Sequence, residues 1–151
     1  MLVNILPCLR TVGAVLLSYF LLFSLAWAES AVISAPEAFA KAKAGELVLI
    51  DVRSPAEWRE SGIPAQALPI ALNQAGGVEA FQRAVLAAVK GNRDQPIAVI
   101  CACGGRSRQA QRLLEQAGFT QVQDISEGML GHDDLPGWIK RGLPVVPCKE
   151  C

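Results

Sequence analysis

The sequence predicts an α/β domain built on a mostly parallel sheet of about five strands, with helices on both faces. Three observations carry that expectation. Continuous apolar runs at 47–50 (LVLI) and 97–100 (IAVI) suit strands covered on both sides. Segments with helical apolar spacing and capping residues lie between such runs. Asp51, Cys101 and Ser126 fall at strand ends, where open parallel sheets bind ligands.

The elements follow in order. Ser34 is placed to cap a helix over 36–44, with Pro36 early in its first turn and Gly45 as its stop. The 47–50 run is the first strand. Ser54-Pro55-Ala56-Glu57 has the capping-box arrangement, with serine at the cap and glutamate at N3, so a short helix carrying Trp58 follows. Residues 67–70 suit a short strand, and Pro69 fits its end better than its middle. Beyond Gly76-Gly77, Val78, Phe81, Val85, Ala88 and Val89 recur at helical spacing up to Gly91. The 97–100 strand leads into a helix with Ala110, Leu113, Leu114 and Ala117 on one face and Gly118 as its stop. Residues 122–125 give another strand. Trp138-Ile139-Lys140-Arg141 reads as a last short helix before Gly142 and Pro144. The pattern holds no internal repeat, linker or low-complexity segment.

The first 28 residues read as a secretory signal peptide. Arg10 precedes an apolar run over 12–27, and Ala26-Trp27-Ala28 is a small-x-small site with cleavage expected after Ala28. The competing reading is an uncleaved membrane anchor, but the run is shorter than the roughly 20 apolar residues of a comfortable span, and Ser18 and Ser24 dilute it. Residues 29–151 are then one domain, with a core over 31–147 and a cysteine-containing tail at 148–151. Its 13 basic and 14 acidic residues show no charge run, which argues against nucleic acid or an anionic membrane as partner. Export implies the periplasm or another oxidising compartment, where Cys101, Cys103, Cys148 and Cys151 can form disulfides in any of three connectivities.

The segment from 97 to 118 concentrates the chemistry. A strand ends at Cys101, turns through Ala102-Cys103-Gly104-Gly105 and opens a helix at Arg106-Ser107-Arg108. Two arginines in a first helical turn oppose the macrodipole, a conflict that a bound anion would remove. The glycines allow close backbone approach to a ligand. Converging amides, the helix start and Arg106 together favour a thiolate at Cys101. The plainer alternative, a small buried core cysteine, leaves the turn and its arginine unexplained.

The run Cys101-Ala102-Cys103-Gly104-Gly105-Arg106-Ser107 resembles the active-site loop of single-domain rhodanese-like sulfurtransferases. Leu49-Ile50-Asp51-Val52-Arg53-Ser54-Pro55 with Glu57-Trp58 is similar to that family's opening signature, and Gly62-Ile63-Pro64 to its second. Glu127-Gly128 with Gly142-Leu143-Pro144-Val145 is similar to its closing one. The matches run in order over about 31–147. Two positions depart: Gly62 stands where the family usually has histidine, and Ala65 where it commonly has glycine. The 129–137 stretch is longer than usual and holds the only histidine, His132, expected to be solvated.

The resemblance implies a rhodanese-like fold and covalent catalysis without a cofactor or metal. Cys101 would take a sulfane sulfur from thiosulfate or a similar donor and pass it to cyanide in vitro or a thiol in the cell. Backbone amides from Ala102 to Ser107 would stabilise the anionic sulfur, and Arg106 would bind the donor's oxygens. Asp51 and Arg53 would lie near the site, Arg53 paired with a carboxylate such as Glu57, with a purely structural ion pair as the alternative. Arg108 would widen a positive mouth or remain a solvated helix residue. Cys103, two residues from the nucleophile, would attack its persulfide, shuttle the sulfur outward or merely fit the turn. Cys148 and Cys151 suit a local disulfide or a thiol pair. The expected partners are a small sulfur donor and a thiol acceptor, with no stable membrane association after cleavage and a monomeric state. Two rivals stand beside this reading. One is a phosphatase on the same scaffold, whose loop would be one residue longer. The other is a thiol redox or metal-sensing module using all four cysteines.

Overall fold

The computed structural model describes residues 32–148, 150 and 151. The expected signal peptide lies outside them. Eleven elements follow one another: α1 (Ala35–Ala44), β1 (Val48–Asp51), α2 (Pro55–Ser61), β2 (Ile63–Pro64), β3 (Ala67–Pro69), α3 (Gly77–Ala88), β4 (Ile97–Ile100), α4 (Gly105–Gln116), β5 (Val122–Ile125), α5 (Gly137–Lys140) and β6 (Val145–Val146).

The central sheet is parallel and has four strands in the order β3-β1-β4-β5; β2 and β6 form a separate antiparallel pair. The expected strand at 67–70 is one residue shorter. Pro69 ends it, opposite Asp51, as a residue without an N–H should. Asp51 is in register with Ile100, and Ile100 with Ile125, so the carboxyl ends of β1, β4 and β5 share one edge.

Strand alternation divides the core between the two sheet faces. Ile50, Ile97, Val99, Cys101 and Val122 pack with Phe81 and Val85 of α3 and with Ala110 and Leu114 of α4. Leu49, Ala98, Ile100 and Ile125 pack on the other face with Ala35 and Ala38 of α1, Met129, and Trp138 of α5. These side chains are at most a few per cent exposed, and burying each large one is worth about 1.5–3 kcal/mol. Both faces of the sheet are therefore covered, and the strands are apolar except for Asp51 at the end of β1 and Gln123 and Asp124 in β5.

The caps behave as their residues dictate. Ser34 accepts a hydrogen bond from the Glu37 amide, and Gly45 ends α1 at φ +76°. Ser54 and Glu57 form the reciprocal capping box of α2. Glu127, buried after β5, accepts from the amides of Ala35 and Gly137 and from Arg141 Nε, and so ties the starts of α1 and α5 together. Burial pushes its carboxyl up, but those donors outweigh it and hold it below the usual glutamate value.

Candidate active site

Cys101 follows β4 directly, and α4 begins four residues later. The intervening turn folds over the sulfur. The Gly104 N–H donates to Cys101 Sγ at 3.1 Å, and the Ser107 hydroxyl lies 3.4 Å from the same sulfur. Cys101 is 1% exposed, while Cys103, in the turn, is exposed; both are free thiols. Gly104 has φ +88°, and a Cβ there would run into the Ser126 carbonyl, so only glycine fits this corner.

The outer side of the turn is pinned by the chain after β5. Met129 N–H donates to the Cys101 carbonyl at 2.8 Å and Leu130 N–H to the Ala102 carbonyl at 3.0 Å. Gly128, at φ +64°, approaches the Ala102 carbonyl so closely that a Cβ would overlap it. With these carbonyls held outward, a loop amide is left to face the sulfur.

The two arginines of the first turn find their compensation within the protein. Arg106 Nη1 donates to Glu57 Oε2 at 2.7 Å and Nη2 to Oε1 at 2.6 Å. The same Glu57 accepts from the backbone and hydroxyl of Ser54. The Arg106 guanidinium, with help from Ser54, holds the Glu57 carboxyl down at about 2 despite its partial burial. In return Glu57 raises the Arg106 pKa, and Cys101 and Asp51 add to that rise. Arg106 thus comes to the loop as half of an ion pair. Arg108, 59% exposed, stands with Nε 3.9 Å from the buried Asp124 carboxylate.

Arg53 does not pair with Glu57, which Arg106 occupies. Its Nε and Nη2 instead bind Asp51 at 2.7–3.0 Å, and it reaches Ser61 Oγ and the Gly62 carbonyl at 2.6 Å. Asp51 and Arg53 are 0% and 2% exposed. They lock the end of β1 to the end of α2 beneath the site.

Three further residues were not placed at the site from sequence. Glu57 was read as a helix cap and as a carboxylate for Arg53, whereas both of its oxygens take Arg106. Asp124 is 1% exposed and neither carboxylate oxygen has a hydrogen-bond partner. Burial raises its pKa, against the pull of the neighbouring Ser107 hydroxyl, which is turned to the Gly104 carbonyl, and of Arg108. His132 is not simply solvated: Nε2 lies 3.0 Å from the Ser126 carbonyl and Nδ1 3.2 Å from Asp133. Asp133 and that carbonyl raise its pKa. The ring thereby fastens the long 129–137 stretch beside the corner that Gly104 packs against. No residue pattern foretold that contact.

Cys148 and Cys151 are joined as a disulfide, and Arg59 of α2 donates to the Cys151 carbonyl. The four cysteines therefore do not gather at one point, and among the described residues no three of His, Cys, Asp or Glu cluster as metal ligands. No described helix is long and apolar enough to cross a membrane.

Comparison with known proteins agrees with this geometry. The rhodanese-like domain family matches residues 34–132. A protein of Allochromatium vinosum named sulfurtransferase is 29% identical over 102 residues, covering 67% of this chain and 79% of that one. A human single-domain sulfurtransferase superposes with a TM-score of 0.52 at 27% identity, covering 66% of this chain and 91% of the other. A rhodanese-related protein from Thermoplasma volcanium gives 0.54 at 30% identity, over 76% and 96%. With its parallel sheet, its cysteine-to-arginine loop and this match over most of the described residues, the chain belongs to the rhodanese-like domain family.

Proposed function

We propose that this protein moves sulfane sulfur from thiosulfate, or a similar anionic donor, to a thiol, with Cys101 as the covalent carrier. The observation that carries the reading is the Gly104 amide aimed at Cys101 Sγ from 3.1 Å, at the start of α4. A backbone donor and a helix N-terminus at a sulfur stabilise negative charge there. The thiolate attacks the outer sulfur of thiosulfate, the bond to the sulfonate sulfur breaks, and sulfite leaves with the electron pair. Cys101 is left as a persulfide. An acceptor thiolate (or cyanide in vitro) then attacks the outer sulfur and frees the Cys101 thiolate. The loop from Ala102 to Ser107 receives the donor, Arg106 contributes its field while braced by Glu57, and Asp51, Arg53 and Arg108 act as supports around it. No nucleic acid or resident metal enters the scheme.

The sequence supports export: cleavage after Ala28 would release the 29–151 domain into the periplasm as a soluble monomer. The four-residue loop between Cys101 and Arg106 favours sulfur over phosphate. Intact mass after thiosulfate treatment tests the proposal. Wild type is expected to gain one sulfur atom, and Cys101→Ala none. Retention of the adduct by Cys101→Ala, or phosphate ester hydrolysis without sulfur uptake, would refute it.

A further inference from the structure

Resting on the Cys101 persulfide, we propose that Cys103 gives this protein a second activity: reductive discharge of its own persulfide, releasing sulfide and closing a Cys101–Cys103 disulfide. The two thiols share one loop but differ in setting. Cys101 is 1% exposed, whereas Cys103 is exposed, and both are unpaired.

Covalent geometry fixes how far apart they can be. The Gly104 nitrogen that contacts Cys101 Sγ at 3.1 Å is bonded to the Cys103 carbonyl carbon. Across a trans peptide, Cys103 Cα lies about 2.4 Å from that nitrogen, so it sits within about 5.5 Å of the Cys101 sulfur. A cysteine side chain spans about 2.8 Å from its Cα, and bonded sulfurs are about 2.05 Å apart, so a side-chain rotation with a slight loop shift closes the gap. The chain bends at 102, 103 and 104, so both cysteines belong to one tight turn. The tail cysteines offer no competing thiol while they are paired with each other.

The step balances. The Cys103 thiolate attacks Cys101 Sγ, the bond from Sγ to the sulfane sulfur breaks, and hydrosulfide leaves with the electron pair. The sulfane sulfur is reduced to sulfide, and the two cysteines are oxidised to a disulfide. An external dithiol returns the loop to its reduced form by thiol–disulfide exchange. A free thiol acceptor and Cys103 thus compete for one persulfide.

The test uses the full chain, reduced, desalted and mixed with thiosulfate in the absence of any acceptor. Sulfide is measured colorimetrically, and the peptide spanning residues 94–106 is examined by mass spectrometry after alkylation. Wild type is expected to release close to one sulfide per chain and to yield this peptide two hydrogens lighter, unalkylated. Cys103→Ser is expected to release less than a tenth as much and to hold its added sulfur on Cys101. A Cys148→Ser/Cys151→Ser double variant is expected to release sulfide like wild type. A stable persulfide on wild type, equal release from Cys103→Ser, or loss of release in the tail variant would overturn the discharge step alone. Absence of sulfur uptake by both wild type and Cys103→Ser would overturn the persulfide reading and this step with it.

Discussion

Glu57 grips Arg106 with both carboxylate oxygens, at 2.6 and 2.7 Å, while the same carboxylate caps the helix on which it sits. One side chain therefore couples the start of α2 to the start of α4. The two arginines at the head of α4 imply anions nearby, and the protein supplies two of them itself, Glu57 for Arg106 and Asp124 near Arg108. The excess positive charge at the loop is correspondingly smaller than the sequence suggests. What remains to attract an anionic donor is the backbone, the helix terminus and a braced guanidinium.

Glu57→Gln keeps a residue able to cap Ser54 but halves the grip on Arg106. Both partners are about a third exposed, so the stability cost at neutral pH should stay below about 1 kcal/mol. Arg106 loses its fixed position, and kcat/KM for thiosulfate should fall about tenfold, equivalent to about 1.4 kcal/mol. The folded Glu57 carboxyl is depressed from 4.5 to about 2, so its contribution is complete above 4.5 and is lost as pH falls through about 2. Thermal melts of wild type and variant should accordingly converge only toward that acid limit. A melting difference that already vanishes at pH 5 would contradict the pairing.

Asp124 carries the opposite sign. Its folded pKa is raised above 3.8, chiefly by burial, so the native state binds its proton more tightly than the unfolded chain does. The favourable contribution is present below 3.8 and is lost as pH rises through the raised value. Asp124→Asn removes the buried charge and should be more stable than wild type at pH 7 by about 1 kcal/mol, a rise of about 4 °C in Tm. The gain should shrink as pH is lowered toward 3.8. Melting at a series of pH values checks this, and a variant less stable than wild type at pH 7 would show Asp124 to be favourably paired.

Much of the site was legible because its determinants are local. The strand ending at Cys101, the glycine turn and the start of α4 lie within ten residues, and the capping box of α2 within four. The partners of Arg53 and Arg106 were harder to read. Arg53 turns back onto Asp51, two residues away, while Arg106 crosses 49 residues to Glu57. Sequence shows which carboxylates exist, but only the fold, which brings the start of α2 to the start of α4, decides which arginine meets which. The fold differed from expectation in the same way. Strand existence followed from apolar runs, yet the four-plus-two division depends on β6 returning to β2, a contact 83 residues apart at Ile63 and Val146. The burial of Asp124 and the bond from His132 to Ser126 likewise arise from the 129–137 stretch and the α4–β5 packing, for which no local pattern exists.

Arg53→Ala should harm folding before chemistry. The guanidinium is 2% exposed and binds Asp51, Ser61 and the Gly62 carbonyl, so its loss strands a buried carboxylate and two further acceptors. Removing one partner of a buried pair costs about 3–5 kcal/mol. Urea unfolding should show a loss of that size, while whatever folded fraction remains still takes up sulfur from thiosulfate. Near-native stability with lost sulfur uptake would instead place Arg53 in the chemistry.

Gly128 and Gly45 share a positive φ, +64° and +76°, but not a setting. Around Gly45 nothing stands within 4 Å of where a Cβ would lie, so Gly45→Ala bears only the left-handed backbone cost, about 1–2 kcal/mol. At Gly128 the methyl would collide with the Ala102 carbonyl and crowd that of Cys101, both of them backbone atoms that cannot swing aside. The neighbouring bond from Met129 to the Cys101 carbonyl would have to lengthen or break, and with it the orientation of the turn over the sulfur. Gly128→Ala should therefore cost about 3 kcal/mol or more, and any protein that folds should lose most of its sulfur uptake. Gly45→Ala should retain uptake at wild-type rates. Equal Tm values for the two variants, or full uptake by Gly128→Ala, would show that the chain after β5 does not hold the loop in place.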